Sequence, residues 1–358
     1  MTNQYTLFTK VQDYYADLVT HLRKAKRTIS MTCLAFEDGH WASQIITALS
    51  NRAVAGVEVR LMVDELGQLT DEPRTFFKNN AILNELRCSG IHVDVFNPNQ
   101  SGFSIQNRMH CKFCAIDDDI TYIGGSNVGD YYTHWSDTNL RVDGSLGNSF
   151  HKAYDYLHSF SIRDIKVNPH PEQSSLSAGN DHLLFTIPGR RLDIRHALLD
   201  LIRNADQTIH LRTWYFLPDE EILNALCSQA RKGVQVNVLL SNRTRIRPVD
   251  LANTIHIQKL VNAGGIVHRY SQSYMHAKVT WNNKGTVLLG SANLDPHSMG
   301  RNFESCLRIQ NLDLANCLQH SYETDLHLCI LVSAEANNHR SLPGKMVSYA
   351  CNLASPWL

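Results

Sequence analysis

The second half of this chain repeats the first. Leu18, Val19 and Leu22 belong to a helical pattern that runs into Thr28-Ile29-Ser30-Met31-Thr32 and ends near Phe36. Leu198, Leu199, Leu201 and Ile202 belong to another, which runs into Thr208-Ile209-His210-Leu211-Arg212-Thr213 and ends at Phe216. Each half continues with a helix-period segment that stops at a glycine, Gly56 or Gly233, as helix ends commonly do. Val57-Glu58-Val59-Arg60-Leu61 and Val234-Gln235-Val236-Asn237-Val238 then alternate as strands do. Another helix and strand follow in each half, the strands being Ile91 to Phe96 and Ile266 to Tyr270. A short hairpin (112–124, 278–290) and a terminal helix (147–160, 312–332) close each half.

Helices alternating with strands predict an α/β fold: two homologous α/β/α repeats, each a mixed sheet with helices on both faces, packed about a pseudo-twofold axis. A repeat of about 165 to 180 residues is far longer than a solenoid unit, so the pattern marks a duplicated domain. The expected organisation is a first repeat over 1–165, a linker over 166–182, a second repeat over 183–332 and a C-terminal extension over 333–358. The linker is the polar run from His170 to Asn180, which has no hydrophobic period.

At equivalent places both halves carry one constellation. The first is His110-Cys111-Lys112, then Asp117, then Gly124-Gly125-Ser126-Asn127; the second is His276-Ala277-Lys278, then Asn283, then Gly290-Ser291-Ala292-Asn293. On a strand, residues two apart share a face, so each His and Lys project together. The small residues of the returning hairpin let a backbone come close to whatever that pair holds. Lysine is a fixed charge, histidine changes protonation near neutral pH, and asparagine both donates and accepts. Two such sets facing each other suit a phosphodiester: one imidazole attacks phosphorus and the other protonates the leaving alkoxide.

The doubled motif resembles the phospholipase D superfamily, over residues 10 to 330, and its flanks are most similar to bacterial cardiolipin synthases. The flanks in question are Gly56 to Leu61, Trp135 to Val142, Met275 to Lys278, Gly290 to Ser298 and Asn302-Phe303-Glu304. The resemblance implies a metal-independent phosphatidyl transfer through a phosphohistidine, with no cofactor. By that analogy His110 is the nucleophile and His276 the general acid and later base. Lys112, Lys278, Asn127 and Asn293 would orient the nonbridging oxygens. Asp137 and Glu304 follow their histidines at nearly the same spacing, and in similar enzymes such a carboxylate backs the imidazole; Glu304 is therefore expected on His276. Asn283 departs from the motif, which has Asp there, as Asp117 does; with Glu304 present, the change is expected to be tolerated.

The remaining features bound the function. Thirty-four Lys and Arg balance thirty-four Asp and Glu, which leaves no general footprint for nucleic acid and argues against a nuclease. Phospholipids such as phosphatidylglycerol are the expected substrates, with phospholipase D hydrolysis to phosphatidic acid as the alternative outcome of the same chemistry. No apolar run reaches about 18 residues and the N-terminus lacks the pattern of a signal peptide. A cytoplasmic protein, peripheral to the inner membrane, is expected. Arg243, Arg245 and Arg247 could meet anionic head groups, and the uncharged segment from Met346 to Leu358, with Trp357, could lie in the interface or pack on the core. Nine scattered cysteines suit reduced thiols, and Cys111 and Cys114, three apart on a strand, point to opposite faces. Tyr131, Tyr132 and Trp135 would line either the acyl or glycerol entrance or the core.

Overall fold

The protein is described by a computed structural model over residues 3–70, 76–97, 102–161, 176–333 and 342–353. The first half contains β1 (Gln4–Lys10), α1 (Val11–Leu22), β2 (Thr28–Cys33), α2 (His40–Val54), β3 (Glu58–Asp64), α3 (Glu65–Thr70), α4 (Phe76–Cys88), β4 (His92–Phe96), β5 (Phe113–Ile116), β6 (Ile120–Gly124), β7 (Ser136–Asp143) and α5 (Gly147–Ser161). The second contains β8 (Ser177–Ala178), β9 (Asp181–Ile187), β10 (Arg191–Leu192), α6 (Asp193–Asn204), β11 (Thr208–Thr213), α7 (Glu220–Arg231), β12 (Gln235–Ser241), α8 (Arg247–Asn262), β13 (Ile266–Tyr270), β14 (Val279–Asn282), β15 (Thr286–Gly290), α9 (Pro296–Gly300), β16 (Glu304–Gln310), α10 (Leu312–Leu326), β17 (Cys329–Leu331) and α11 (Leu342–Leu353).

The sheet orders are β1-β7-β6-β5-β2-β3-β4 and β10-β9-β16-β15-β14-β11-β12-β13-β17. In each, three parallel strands joined through helices meet an antiparallel hairpin. Parallel strands with helical crossovers need cover on both faces, and alternation along each strand supplies it. Val59, Leu61 and Val63 pack outward against α1, α2 and α4, while Met62 faces a central core. The outer face of the second sheet packs in the same way on α6, α7 and α8. The central core draws on both halves: α5 and α10 lie there between the inner faces of the two sheets. Cys111 is in that core and Cys114 in the outer one, and all nine cysteines are free thiols.

The structure departs from the expected elements at three places. Strands β1, β7, β9 and β16 extend each sheet beyond the hairpin, where the sequence pattern assigns no strand. The expected helix over 312–332 stops at Leu326, and the chain returns as β17 on the open edge of β13. Of the expected linker, residues 166–175 lie outside the described residues, and the rest holds β8, a turn and the start of β9. Leu176 is buried in the central core, β9 starts at Asp181, and Asp181 accepts hydrogen bonds from Asn3 (2.6 Å) and Tyr5 (2.7 Å). Helix α11 packs on α8, with Asn352 bonded to His256 at 2.6 Å; Trp357 lies outside the described residues. Among the described residues no helix is long and apolar enough to cross a membrane.

Candidate active site

Each histidine stands just before the hairpin of its half, where its backbone is fastened to the other half. Met109 bridges Phe303 in parallel, with His110 N donating to Phe303 O at 2.8 Å and Phe303 N to Arg108 O at 2.8 Å. Met275 bridges Ser136 in the same way, with His276 N donating to Ser136 O at 2.7 Å and Ser136 N to Tyr274 O at 2.9 Å. The residues that precede the two carboxylates are therefore pinned beside the histidine of the opposite repeat.

This geometry corrects the expected pairing. Glu304 backs His110, with Nδ1 at 2.9 and 3.0 Å from its two oxygens, and Asp137 backs His276, with Nδ1 at 2.7 Å from Oδ2. The reason is strand order. Within one sheet β7 is separated from β5 by β6, and β16 from β14 by β15. At about 4.8 Å per strand, a carboxylate starting β7 or β16 is too far from the histidine of its own half. Across the pseudo-twofold axis the strand ends meet directly.

The carboxylates are buried and satisfied, as a buried charge must be. Glu304 accepts hydrogen bonds from Ser291 Oγ (2.5 Å), Ser298 Oγ (2.8 Å) and Asn302 Nδ2 (3.4 Å). Asp137 accepts from Ser126 Oγ (3.0 Å) and Thr138 N (2.7 Å). A Cβ at Gly125 would stand 2.2 Å from Asp137 Oδ1, so this glycine makes room for the carboxylate, not for a ligand beside His and Lys as its spacing suggested. At the equivalent position Ser291 instead supplies a hydroxyl to Glu304.

A carboxylate at Nδ1 fixes the proton there, leaving Nε2 as the basic nitrogen. Neither Nε2 has a hydrogen-bond partner among the described residues. Burial and the Lys278 ammonium push His276 down to about 3 despite Asp137. Burial also lowers His110, against the charge of Glu304. Burial would raise both carboxyls, but the imidazoles and lysines outweigh it and hold Asp137 and Glu304 below the usual range. Lys112 and Lys278 each donate Nζ to the carbonyl of their own histidine, His110 and His276, and burial brings Lys278 down to about 7. Each lysine acts on both imidazoles, so the two sets converge. Asn127 and Asn293 are buried at the ends of the glycine turns, and Asn293 Oδ1 has no partner among the described residues.

The structure keeps Asp117 and Asn283 apart from this cluster. Both close the far end of their hairpin: Asp117 accepts from the backbone N–H groups of Lys26, Arg27 and Thr28 at 2.7–3.1 Å, with φ at 50°. Asn283 accepts from those of Gln207 and Thr208 at 3.2 Å and donates to Asp206 at 2.6 Å. Asn283 is compatible with catalysis because this position braces a turn, not because Glu304 serves His276. Asn283→Asp is expected to leave turnover within about twofold and to lower the melting temperature slightly, from the like charge beside exposed Asp206. Asp117→Ala should cost more, about 1–2 kcal/mol, because it removes a charged acceptor that gathers three backbone N–H groups, although water reaches the exposed ones. Thermal melting and turnover of both variants check this.

Two sets of site residues escaped the sequence reading. Arg108 pairs with buried Asp64, whose Oδ2 also accepts from Met109 N at 2.8 Å and so steadies the segment before His110. Ser241 does the same for Met275 N at 3.3 Å. Both stand at the C-terminal ends of parallel strands, the usual place for site residues in such sheets, and that was the available signal. The second set, Trp214, Tyr215 and Tyr274, is aromatic and joins Tyr132 and Trp135, which the sequence offers as lining for the entrance or the core. Trp135 and Trp214 set their edges against the His276 ring at 5.0 and 4.4 Å, clustered with Tyr132, Tyr215 and Tyr274. Arg245 lies 5.4 Å over the Tyr131 ring. Trp135 thus stands in the wall of the site.

The family model described as "Cardiolipin synthase, PLD-like domain" matches residues 18–147 and 198–326. A cardiolipin synthase of Clostridium perfringens is 26% identical over 99% of this chain and 77% of its own length. The major cardiolipin synthase of Bacillus subtilis is 28% identical over 99% of this chain and 76% of its own. Among solved structures, the phosphatidylserine synthase of Haemophilus influenzae superposes with a TM-score of 0.78 at 12% identity, over 99% of this chain and 95% of its own. At that identity the likeness speaks for the fold alone.

Proposed function

The chain belongs to the cardiolipin synthase, PLD-like domain family, and from that premise we propose that it moves a phosphatidyl group from one phospholipid to the hydroxyl of another, as in cardiolipin synthesis. The observation that carries the reading is the pair of buried imidazoles, each backed at Nδ1 by a carboxylate and each with Nε2 unbonded. That arrangement gives one nucleophile and one proton carrier at a single site.

In the first step His110 Nε2 attacks phosphorus, the bond to the departing alcohol breaks, and His276 gives that oxygen a proton. His276 takes that proton from water as the substrate binds, because the negative charge of the phosphodiester offsets the ammonium that depresses the imidazole. In the second step neutral His276 takes the proton from the acceptor hydroxyl, whose oxygen attacks phosphorus and frees His110. Lys112, Lys278, Asn127 and Asn293 hold the nonbridging oxygens, where losing one preorganised donor typically costs about 3 to 4 kcal/mol of barrier. Asp137 and Glu304 orient the imidazoles and stabilise them when charged.

Phosphatidylglycerol is the donor and acceptor this reading favours, with the two repeats acting as one catalytic unit on the cytoplasmic face of the inner membrane. Peripheral attachment is supported by exposed Arg243 and Arg247, each adding about 1 kcal/mol near an anionic leaflet. Mixing the protein with phosphatidylglycerol vesicles should give cardiolipin and glycerol in equal amounts, read by mass spectrometry. Phosphatidic acid as the main product would make the protein a hydrolase, and unchanged lipid would overturn the reading.

A further inference from the structure

On the first sheet, away from the catalytic histidines, three potential metal ligands meet. His92 and Asp94 lie two apart on β4 and so share a face, and His158 reaches them from α5. His92 Nε2 is 3.2 Å from Asp94 Oδ1, His158 Nδ1 is 2.9 Å from Asp94 Oδ2, and one ligand atom from each residue lies within 4.8 Å of the others. From this geometry we infer that His92, Asp94 and His158 form a binding site for a borderline divalent ion of the zinc class.

Zinc takes imidazole nitrogen and carboxylate oxygen at about 2.0–2.2 Å, which sets neighbouring ligand atoms roughly 3.3 Å apart. Each imidazole lies near that separation from one Asp94 oxygen, His92 from Oδ1 and His158 from Oδ2, and the ligand atoms, within 4.8 Å of one another, close to it when an ion binds. His92 sits on an edge strand with its side chain 61% exposed, which gives the ion a path from solvent. Tyr154 OH donates to Asp94 Oδ2 at 2.8 Å, the kind of outer contact that orients a ligating carboxylate. The nearby Arg60 guanidinium, 4.8 Å over the Tyr154 ring, is engaged by Asp155 at 2.5 Å. The hydrogen bond to Asp94 raises the pKa of His158, so the ion competes with a proton for that imidazole. The ion would cross-link β4 to α5, and it takes no part in phosphoryl transfer: the catalytic cluster lies at the other end of β4, where Phe96 meets Phe303 at 4.9 Å.

Zinc chloride titrated into the full chain against a chromophoric chelator should show one tight site, with a melting temperature that rises with zinc. Cobalt chloride should give absorption bands of nitrogen and oxygen ligation without a thiolate charge-transfer band, which separates this site from the free cysteines. His92→Ala and His158→Ala should each abolish that site, and Tyr154→Phe should weaken it about tenfold. His92 is a surface residue, so its variant tests binding without threatening the fold. EDTA should lower the melting temperature and leave turnover unchanged. Equal zinc affinity in wild type and His92→Ala, or no uptake by wild type at millimolar zinc, overturns the inference. Either result leaves the transferase reading untouched.

Discussion

His110→Ala and His276→Ala are each expected to lower turnover by roughly six orders of magnitude, with the double variant hardly worse than either single one. Residues that act as one unit show this non-additivity, because losing the nucleophile leaves the proton carrier nothing to assist, and the reverse. Both imidazoles are also held neutral at neutral pH, His276 down at about 3 and His110 lowered by burial, so each Nε2 is basic in the free enzyme. The protein is expected to trap a phosphoryl adduct on His110 when quenched with a phosphorus-labelled lipid donor, with none on His276. Label on His276 would exchange the roles and keep the site. No adduct on either, with inversion at phosphorus, would replace the two-step transfer by direct displacement.

What the chain discloses of this site is what is local in it. The duplicated His-x-Lys pairs, the hairpins and the helix-ending glycines lie within short stretches, and their spacing is enough to place them. The carboxylate pairing is another matter. Asp137 and Glu304 follow their own histidines at matching intervals, so pairing within a half and pairing across halves look identical along the chain. Only the strand order, with β6 or β15 interposed, excludes the first. The same holds for Gly125, whose purpose shows once Asp137 is seen against it. The motif position of Asp117 and Asn283 reads as chemistry because it travels with His and Lys, yet it braces the distant turn of the hairpin. Trp214 belongs to an apolar run that alternation assigns to a strand end, and nothing in that run tells that its edge meets His276.

Glu304→Gln is expected to lower kcat by about 10⁴-fold, the cost of replacing a carboxylate that orients a catalytic imidazole by an amide. The effect should fall on His110. The two serines donate to different oxygens of Glu304, so the amide keeps one acceptor and the hydroxyl facing its NH2 turns to accept; melting temperature monitors the fold while kinetics reports the imidazole. The charge of Glu304 raises His110 against burial, so its loss lowers that imidazole further and moves the acid limb of kcat/KM to lower pH. Asp137→Asn should cost a similar factor by acting on His276. The two separate with a lipid ester whose leaving group needs no proton, such as nitrophenol. Adduct formation on His110 then recovers in Asp137→Asn, where only proton donation was impaired, and stays slow in Glu304→Gln, where the nucleophile itself is misoriented. Recovery in Glu304→Gln but not in Asp137→Asn, with the adduct still on His110, would mean that each carboxylate serves its own half and would refute the exchanged pairing.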